Sequence, residues 1–147
     1  MAYVKQLLDK ARSRLVMVLD EAGVLDVSRL LRAGTDIVVV CDTSGAMAGI
    51  VTKTDMVEWL AGGQNIHKDA RIGSVMRPNV LVCGLDDELH DVWSLMRAED
   101  VKNLPVLDED NRPVGVLNAR DALGILLAET ENEEALLRDY VMGQGYR

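Results

Sequence analysis

Phenylalanine is absent from the 147 residues and aromatics make up only 3% of them, so aliphatic side chains must close the core, with seven scattered methionines filling its gaps. The two histidines, His67 in a polar linker and His90 at a helix start, have no partner at ligand spacing, so no metal site is expected. Cysteine is as scarce: Cys41 and Cys83 lie in apolar segments without Cys-x-x-Cys spacing and read as buried, reduced thiols. Basic residues fall short of acidic ones, 16 against 24, giving a net charge of −8 and a pI near 4.7. That balance argues against broad nucleic-acid binding through electrostatics but leaves room for a small anionic ligand in a local pocket. No apolar run reaches the length of a membrane span, and no signal peptide opens the chain. The polar, amphipathic start MAYVKQLLDKARSR fits a cytoplasmic location. Also missing are a Gly-x-Ser-x-Gly nucleophile turn, a phosphate-binding loop and a zinc-protease helix.

What is present is a repeat. Residues 40–55 and 106–121 match at a constant offset of 66: Val40, Asp42, Gly49 and Asp55 become Val106, Asp108, Gly115 and Asp121. Upstream, Asp26-Val27 and Arg32-Ala33 match Asp91-Val92 and Arg97-Ala98 at an offset of 65, so the first copy is one residue shorter between helix and strand. An internal repeat fixes architecture before any motif does. With 48% hydrophobic residues, the chain can bury one composite core.

Each half reads as strand, helix, strand, strand, helix. The first has Val24, Val27 and Leu31 on its helix, strands at Ile37–Cys41 and Ala48–Val51, and a helix from about Thr54 to Ala61; its opening strand, around Val16, is poorly marked. The second has a strand at Val80–Cys83, a helix with Leu89, Val92, Trp93 and Met96 on one face, strands at Leu104–Asp108 and Val114–Leu117, and a helix from about Arg120. Tight turns predict that each central strand pair is an antiparallel hairpin. Asp86, Asp87 and Glu88 precede Leu89, where they are expected to cap its helix, and Trp59 and Trp93 read as core or dimer contacts. The polar stretch Gly62-Gly63-Gln64-Asn65 opens a linker to Arg71. Outside the repeat, residues 1–13 predict a helix, and residues 122–142 a long helix with Leu123, Leu126, Leu127, Leu136, Leu137 and Val141 on one side and a break near Thr130.

The sharpest local signal is Gly49-Ile50-Val51-Thr52-Lys53-Thr54-Asp55, echoed by Gly115-Val116-Leu117-Asn118-Ala119-Arg120-Asp121, each where a strand hands over to a helix. One reading is architectural. Thr52 and Asn118 are good N-caps, Thr52-x-x-Asp55 is close to a capping box, and the aspartates complement the helix dipole. The other is a site. A helix N-terminus offers free N–H groups to an anion, a carboxylate there can accept both hydroxyls of a ribose, and glycine keeps the approach open. Lys53 and Arg120 are candidate phosphate neutralisers and otherwise solvated charges.

The doubled pattern of an apolar strand ending in Asp, a turn, Gly-apolar-apolar-[Thr/Ser]-x-x-Asp and a helix resembles a tandem pair of cystathionine-β-synthase (CBS) domains, a Bateman module, over about residues 14–127. Leu104-Pro105-Val106-Leu107-Asp108 and the linker-like Ile72-Gly73-Ser74-Val75-Met76-Arg77-Pro78 support it, and Glu134–Tyr140 resembles the tails of stand-alone bacterial members. The resemblance implies an α+β fold: two β-α-β-β-α units related by a pseudo-twofold axis, with flanking N- and C-terminal helices. The division it suggests is 1–13 helix, 14–66 first repeat, 67–128 linker and second repeat, and 129–147 helical tail. It also implies two clefts for adenosine-containing nucleotides (AMP, ADP, ATP or NAD(H)), with no metal. In one cleft Asp55 would hold the ribose, with Thr52 and Thr54 facing sugar or phosphate. In the other Asp121 would do so, with Arg120 nearby and Asn118 in place of the usual hydroxyl residue. Residues around Met17 and Val18, or around Met76 and Val80, would sandwich the adenine. The motif ranks the Asp55 cleft first.

Three functions follow as alternatives. The first is a regulatory sensor that signals nucleotide level to an unknown protein effector, and the resemblance implies a homodimer associating through its helices. The second is a dimerisation module with vestigial clefts. The third is an enzyme, for which only Asp55 and Asp121 speak, and these are expected in separate clefts.

Overall fold

A computed structural model describes residues 1–63 and 67–141. Linker residues Gln64 and Asn65, the end of the first repeat at 66 and the tail beyond Val141 lie outside the described residues. The first repeat is a three-stranded sheet of β1 (Met17–Leu19), β2 (Ile37–Cys41) and β3 (Met47–Thr52), in that order. β1 runs parallel to β2 and β3 antiparallel to it, so the β1-to-β2 connection crosses over through α2 (Val24–Leu30). The second repeats this with β4 (Cys83–Gly84), α4 (Leu89–Ala98), β5 (Asn103–Leu107) and β6 (Pro113–Asn118).

The likeness extends to irregularities. The sheet register shifts between Val40 and Cys41 and again between Val106 and Leu107. In the first hairpin the Asp42 carboxylate accepts from the Ser44 and Ala46 N–H groups at 2.8 and 3.2 Å; in the second Asp108 accepts from Asp110 and Arg112 at 2.8 and 3.0 Å. The next position takes a positive φ in both, Gly45 at 89° and Asn111 at 61°. An aspartate that ends the strand therefore also builds the turn. The two tips meet, with Met47 N–H donating to the Asn111 carbonyl at 2.8 Å.

Each hairpin runs into a helix. α3 (Lys53–Gly62) starts at Thr52 and stops at Gly63, whose φ of 66° ends the helical path. α5 (Ala119–Val141) is continuous through Thr130, where a break was expected: the Thr130 hydroxyl donates to the Leu126 carbonyl at 3.1 Å, and the surrounding glutamates are good helix formers. Two further expectations shift. The strand predicted at Val80–Cys83 pairs only at Cys83 and Gly84, because residues 80 and 81 turn to line a cavity between the repeats. The helix predicted over 1–13 begins with a bridge from Tyr3 to Glu88 and a 3-10 turn at Val4–Leu7, and becomes α-helical only in α1 (Leu8–Ser13). Nor do the acids before α4 cap it by side-chain hydrogen bonds. Asp87 accepts from the Gly84 N–H at 2.8 Å and Asp86 pairs with Lys5 at 3.4 Å.

Packing departs from chain order. Ala2, Val4, Leu7 and Ala11, which precede the first repeat, are buried in the core of the second, against Leu89, Met96, Leu104 and Leu117. Ala70 and Ile72, which precede the second, are buried in the core of the first, with Val24, Val27, Val38 and Val51. Trp59 and Trp93 pack on these two cores. A third cluster, Ile37, Val39, Cys41, Ile50 and Val116, joins the repeats. β2 is thus buried on both faces, which accounts for its unbroken apolar run.

Candidate ligand clefts between the repeats

The exchanged leader segments build two related cavities, of about 440 and 460 Å³, both bordered by the equivalent residues Ile37 and Asn103. The first takes Lys10, Ser13 and Arg14 from the end of α1, the turn at Gly34–Asp36, and Val116 and Asp121 from the second repeat. The second takes Arg77–Leu81 from the other leader, Glu99–Val101, and Ile50 and Thr52 from the first repeat. Each cleft therefore combines the helix-to-strand turn of one repeat with the strand-to-helix junction of the other.

The two aspartates of the motif sit differently. Asp55 completes a capping box: its Oδ2 accepts from the Thr52 N–H at 2.8 Å and the Thr52 hydroxyl at 3.0 Å, while Asp55 N–H donates back to that hydroxyl at 3.3 Å. Its Oδ1 lies 2.8 Å from Arg77 Nε, leaving the side chain 7% exposed. Arg77 covers it, and Asp55 does not border the cavity that Thr52 and Arg77 line. In the second repeat Asn118 takes over the cap, its Oδ1 accepting from the Arg120 and Asp121 N–H groups at 3.0 and 3.3 Å. Its amide nitrogen donates to Asn103 at 3.0 Å. The Asp121 carboxylate is thereby released from capping. It borders the first cleft at 13% exposure and is gripped by Arg14, Nε to Oδ2 at 2.6 Å and the second guanidinium nitrogen to Oδ1 at 3.1 Å. This hydrogen bond, with the Asp121 and Asp36 charges, holds the Arg14 guanidinium above its usual pKa against a lowering by burial.

Of the other candidates, Val80 lines the second cleft and packs on the joining cluster. Met17, Val18, Met76, Thr54, Asn118 and Arg120 border neither cavity. Val18 and Met76 pack on the first core, Met17 is an exposed strand residue paired with Val39, and Thr54 and Arg120 point to solvent. Lys53 pairs with Asp36 at 3.3 Å. The motif glycines do not open a path for a ligand. A Cβ at Gly49 would lie 2.7 Å from the Arg77 carbonyl oxygen, and one at Gly115 2.7 Å from Ala11 Cβ. They admit the leaders, and Ile50 and Arg77 exchange both backbone hydrogen bonds at 3.0 and 2.9 Å. Sequence reasoning missed Arg14, Arg77 and Lys10. The two arginines stand 63 apart, outside the 65–66 register, so alignment of the halves leaves them unmatched.

Comparison with known proteins agrees with this architecture. The CBS domain family model matches twice, over residues 4–62 and 72–128. The arabinose 5-phosphate isomerase GutQ of Salmonella typhi is 28% identical over 92 residues, covering 63% of this chain and 28% of that protein; this chain spans only about a quarter of the length of the curated relatives it matches. A CBS-domain containing protein from Agrobacterium tumefaciens superposes with a TM-score of 0.71 at 27% identity, covering 84% of this chain and 98% of that one. The cytosolic domain of the Mg2+ channel MgtE, solved in complex with ATP, superposes with a TM-score of 0.65 at 25% identity, covering 82% and 52%. With two matches, two copies of one sheet-and-helix unit and leaders that interlock them, the chain belongs to the CBS domain family as a tandem pair.

Proposed function

We propose that the protein is a regulatory module that binds an adenosine-containing nucleotide (AMP, ADP, ATP or NAD(H)) between its repeats and passes that occupancy to a protein effector. The observation that carries this reading is the Asp121 carboxylate, set at the start of α5 and bordering a cavity of about 440 Å³. Such a volume falls in the range of small-molecule sites, roughly 300–1,000 Å³. Asp121 is the proposed acceptor of the ribose hydroxyls. The ATP held by the MgtE domain supports the ligand class. The Asp55 cleft, with Thr52 and Val80, is ranked second because its carboxylate is committed to the capping box and Arg77. Asp121 borders the first cleft and Asp55 borders neither, so paired-acid catalysis has no pair and the module is read as non-catalytic.

A nucleotide that touches both repeats favours one relative packing of them, and by linkage a partner reading that packing alters nucleotide affinity in return. In a thermal-shift panel, a nucleotide at about 100 times its dissociation constant should add about 2.7 kcal/mol, on the order of 5–10 °C here. Asp121→Ala should abolish most of that shift, and a full shift in this variant would overturn the site assignment.

A second reading, a dimerisation module with unused clefts, is favoured by the fact that both carboxylates already have protein partners. Dimerisation itself fits either reading: the equivalent positions Val57 and Leu123, on α3 and α5, both expose apolar side chains. A homodimer is therefore proposed, and sedimentation at micromolar concentration showing only monomer would reject it. Among the described residues, no helix is long and apolar enough to cross a membrane.

A further inference from the structure

We propose that Arg14 sets the ligand class of the Asp121 cleft: it gives up the carboxylate to the sugar and takes the ligand's phosphate, so the cleft admits nucleoside phosphates and discriminates against nucleosides. The inference rests on the nucleotide reading above and goes beyond it by assigning a selecting residue. Arg14 grips both oxygens of Asp121, at 2.6 and 3.1 Å. A ribose can reach those oxygens only when this fork opens. A neutral nucleoside would open it and leave the guanidinium without a bidentate partner, with the Asp36 charge nearby already paired to Lys53. A nucleoside phosphate brings a replacement anion of matching geometry, so one bidentate pair is exchanged for another.

Three observations fit the exchange. Arg14 sits at the C-terminal end of α1 with its side chain 42% exposed, so it can swing without disturbing the core. Lys10, one turn earlier on the same helix, lines the same cavity and has no ion pair among the described residues, which supplies a second cation. The other cleft has no such reserve: Arg77 is tied to the buried Asp55, and the remaining charges on its wall are Glu99 and Asp100. Two cations face two carboxylates in the first cleft (Lys10 and Arg14 against Asp36 and Asp121), and one cation faces two carboxylates in the second.

The test is equilibrium binding of AMP, ADP, ATP, NAD(H) and adenosine to the wild type, Arg14→Gln and Arg14→Lys, each checked for folding by thermal melting. In the wild type at least one phosphate should bind tenfold or more tighter than adenosine, the scale of a charge-assisted hydrogen bond. Arg14→Gln should weaken that phosphate about tenfold or more while adenosine binding holds or tightens, because Asp121 is left unoccupied. Arg14→Lys, which keeps charge without the fork, should retain part of the preference. A phosphate-to-adenosine ratio unchanged in Arg14→Gln overturns the proposal and leaves the nucleotide reading standing, as does an equal loss for both ligands. Absence of binding by every probe to the wild type overturns both.

Discussion

A single replacement at the helix cap separates the two motif aspartates. Thr52 caps α3 with help from the Asp55 carboxylate, whereas Asn118 caps α5 alone and leaves Asp121 to the cleft. The motif itself was legible in the sequence, and so was the capping box. The cap at Asn118 was legible too, but not that it leaves the Asp121 carboxylate free of the cap while Asp55 stays in its box, since that depends on which oxygen each N–H meets. The stabilities of two variants should reflect this. Asp55→Ala removes the carboxylate half of the capping box, two side-chain hydrogen bonds and the Arg77 pair at a buried site, and should cost about 1–3 kcal/mol in denaturant unfolding. Asp121→Ala breaks a pair whose arginine is well exposed and should cost under about 1 kcal/mol. Equal costs would refute the division of roles. Cys83 was read as a buried, reduced thiol, and burial with the nearby Asp87 charge pushes its pKa up to about 12. Alkylation of the native protein at pH 8 should accordingly leave Cys83 unmodified, and rapid labelling would contradict its burial.

Strands, hairpins and long helices followed from periodicity and turn residues, and β2 (Ile37–Cys41) matches its predicted span residue for residue. The leaders did not follow. Nothing in the apolar pattern of MAYVKQLLDKA states that Val4 and Leu7 belong to the core of the second repeat rather than the first, since either core would accept them. The register of the glycines held the missing clue, for each marks where a backbone must approach closely. Deleting residues 2–7 removes Val4 and Leu7, at 0% and 4% exposure, from that distant core. At about 1.5–3 kcal/mol for each buried side chain, the loss should be about 3–6 kcal/mol, measured by urea unfolding; a loss under about 1 kcal/mol would show that the segment packs elsewhere. The first hairpin turn carries a pH signature. Hydrogen bonds from the Ser44 hydroxyl and N–H, chiefly, hold the Asp42 carboxyl below its ordinary value despite a small opposing effect of burial. The unfolded chain then takes up the proton first as pH falls. The contribution is full above about pH 4 and fades as pH drops through the lower folded value. Asp42→Asn should flatten that acid limb of the stability curve, and an unchanged limb would remove the turn from the account.

At the scale of the molecule, the repeat seen in the sequence becomes an interlocked pair, with each leader crossing to the other repeat and closing a cleft against it. This makes the clefts sensitive to the relative placement of the halves, since each wall belongs to a different repeat. On the proposed nucleotide reading, occupancy would bias that placement and with it the surface the outer helices present. Pseudosymmetry gives two cavities of similar size, while the residues on their walls differ enough that equal occupancy is not expected. The most direct test is a crystal structure of the protein with a saturating adenine nucleotide. The account predicts one ligand per chain between the repeats, its ribose on Asp121 and the Arg14–Asp121 pair opened. A ligand seated instead on Asp55, or an intact Arg14–Asp121 pair with both clefts empty, would contradict it.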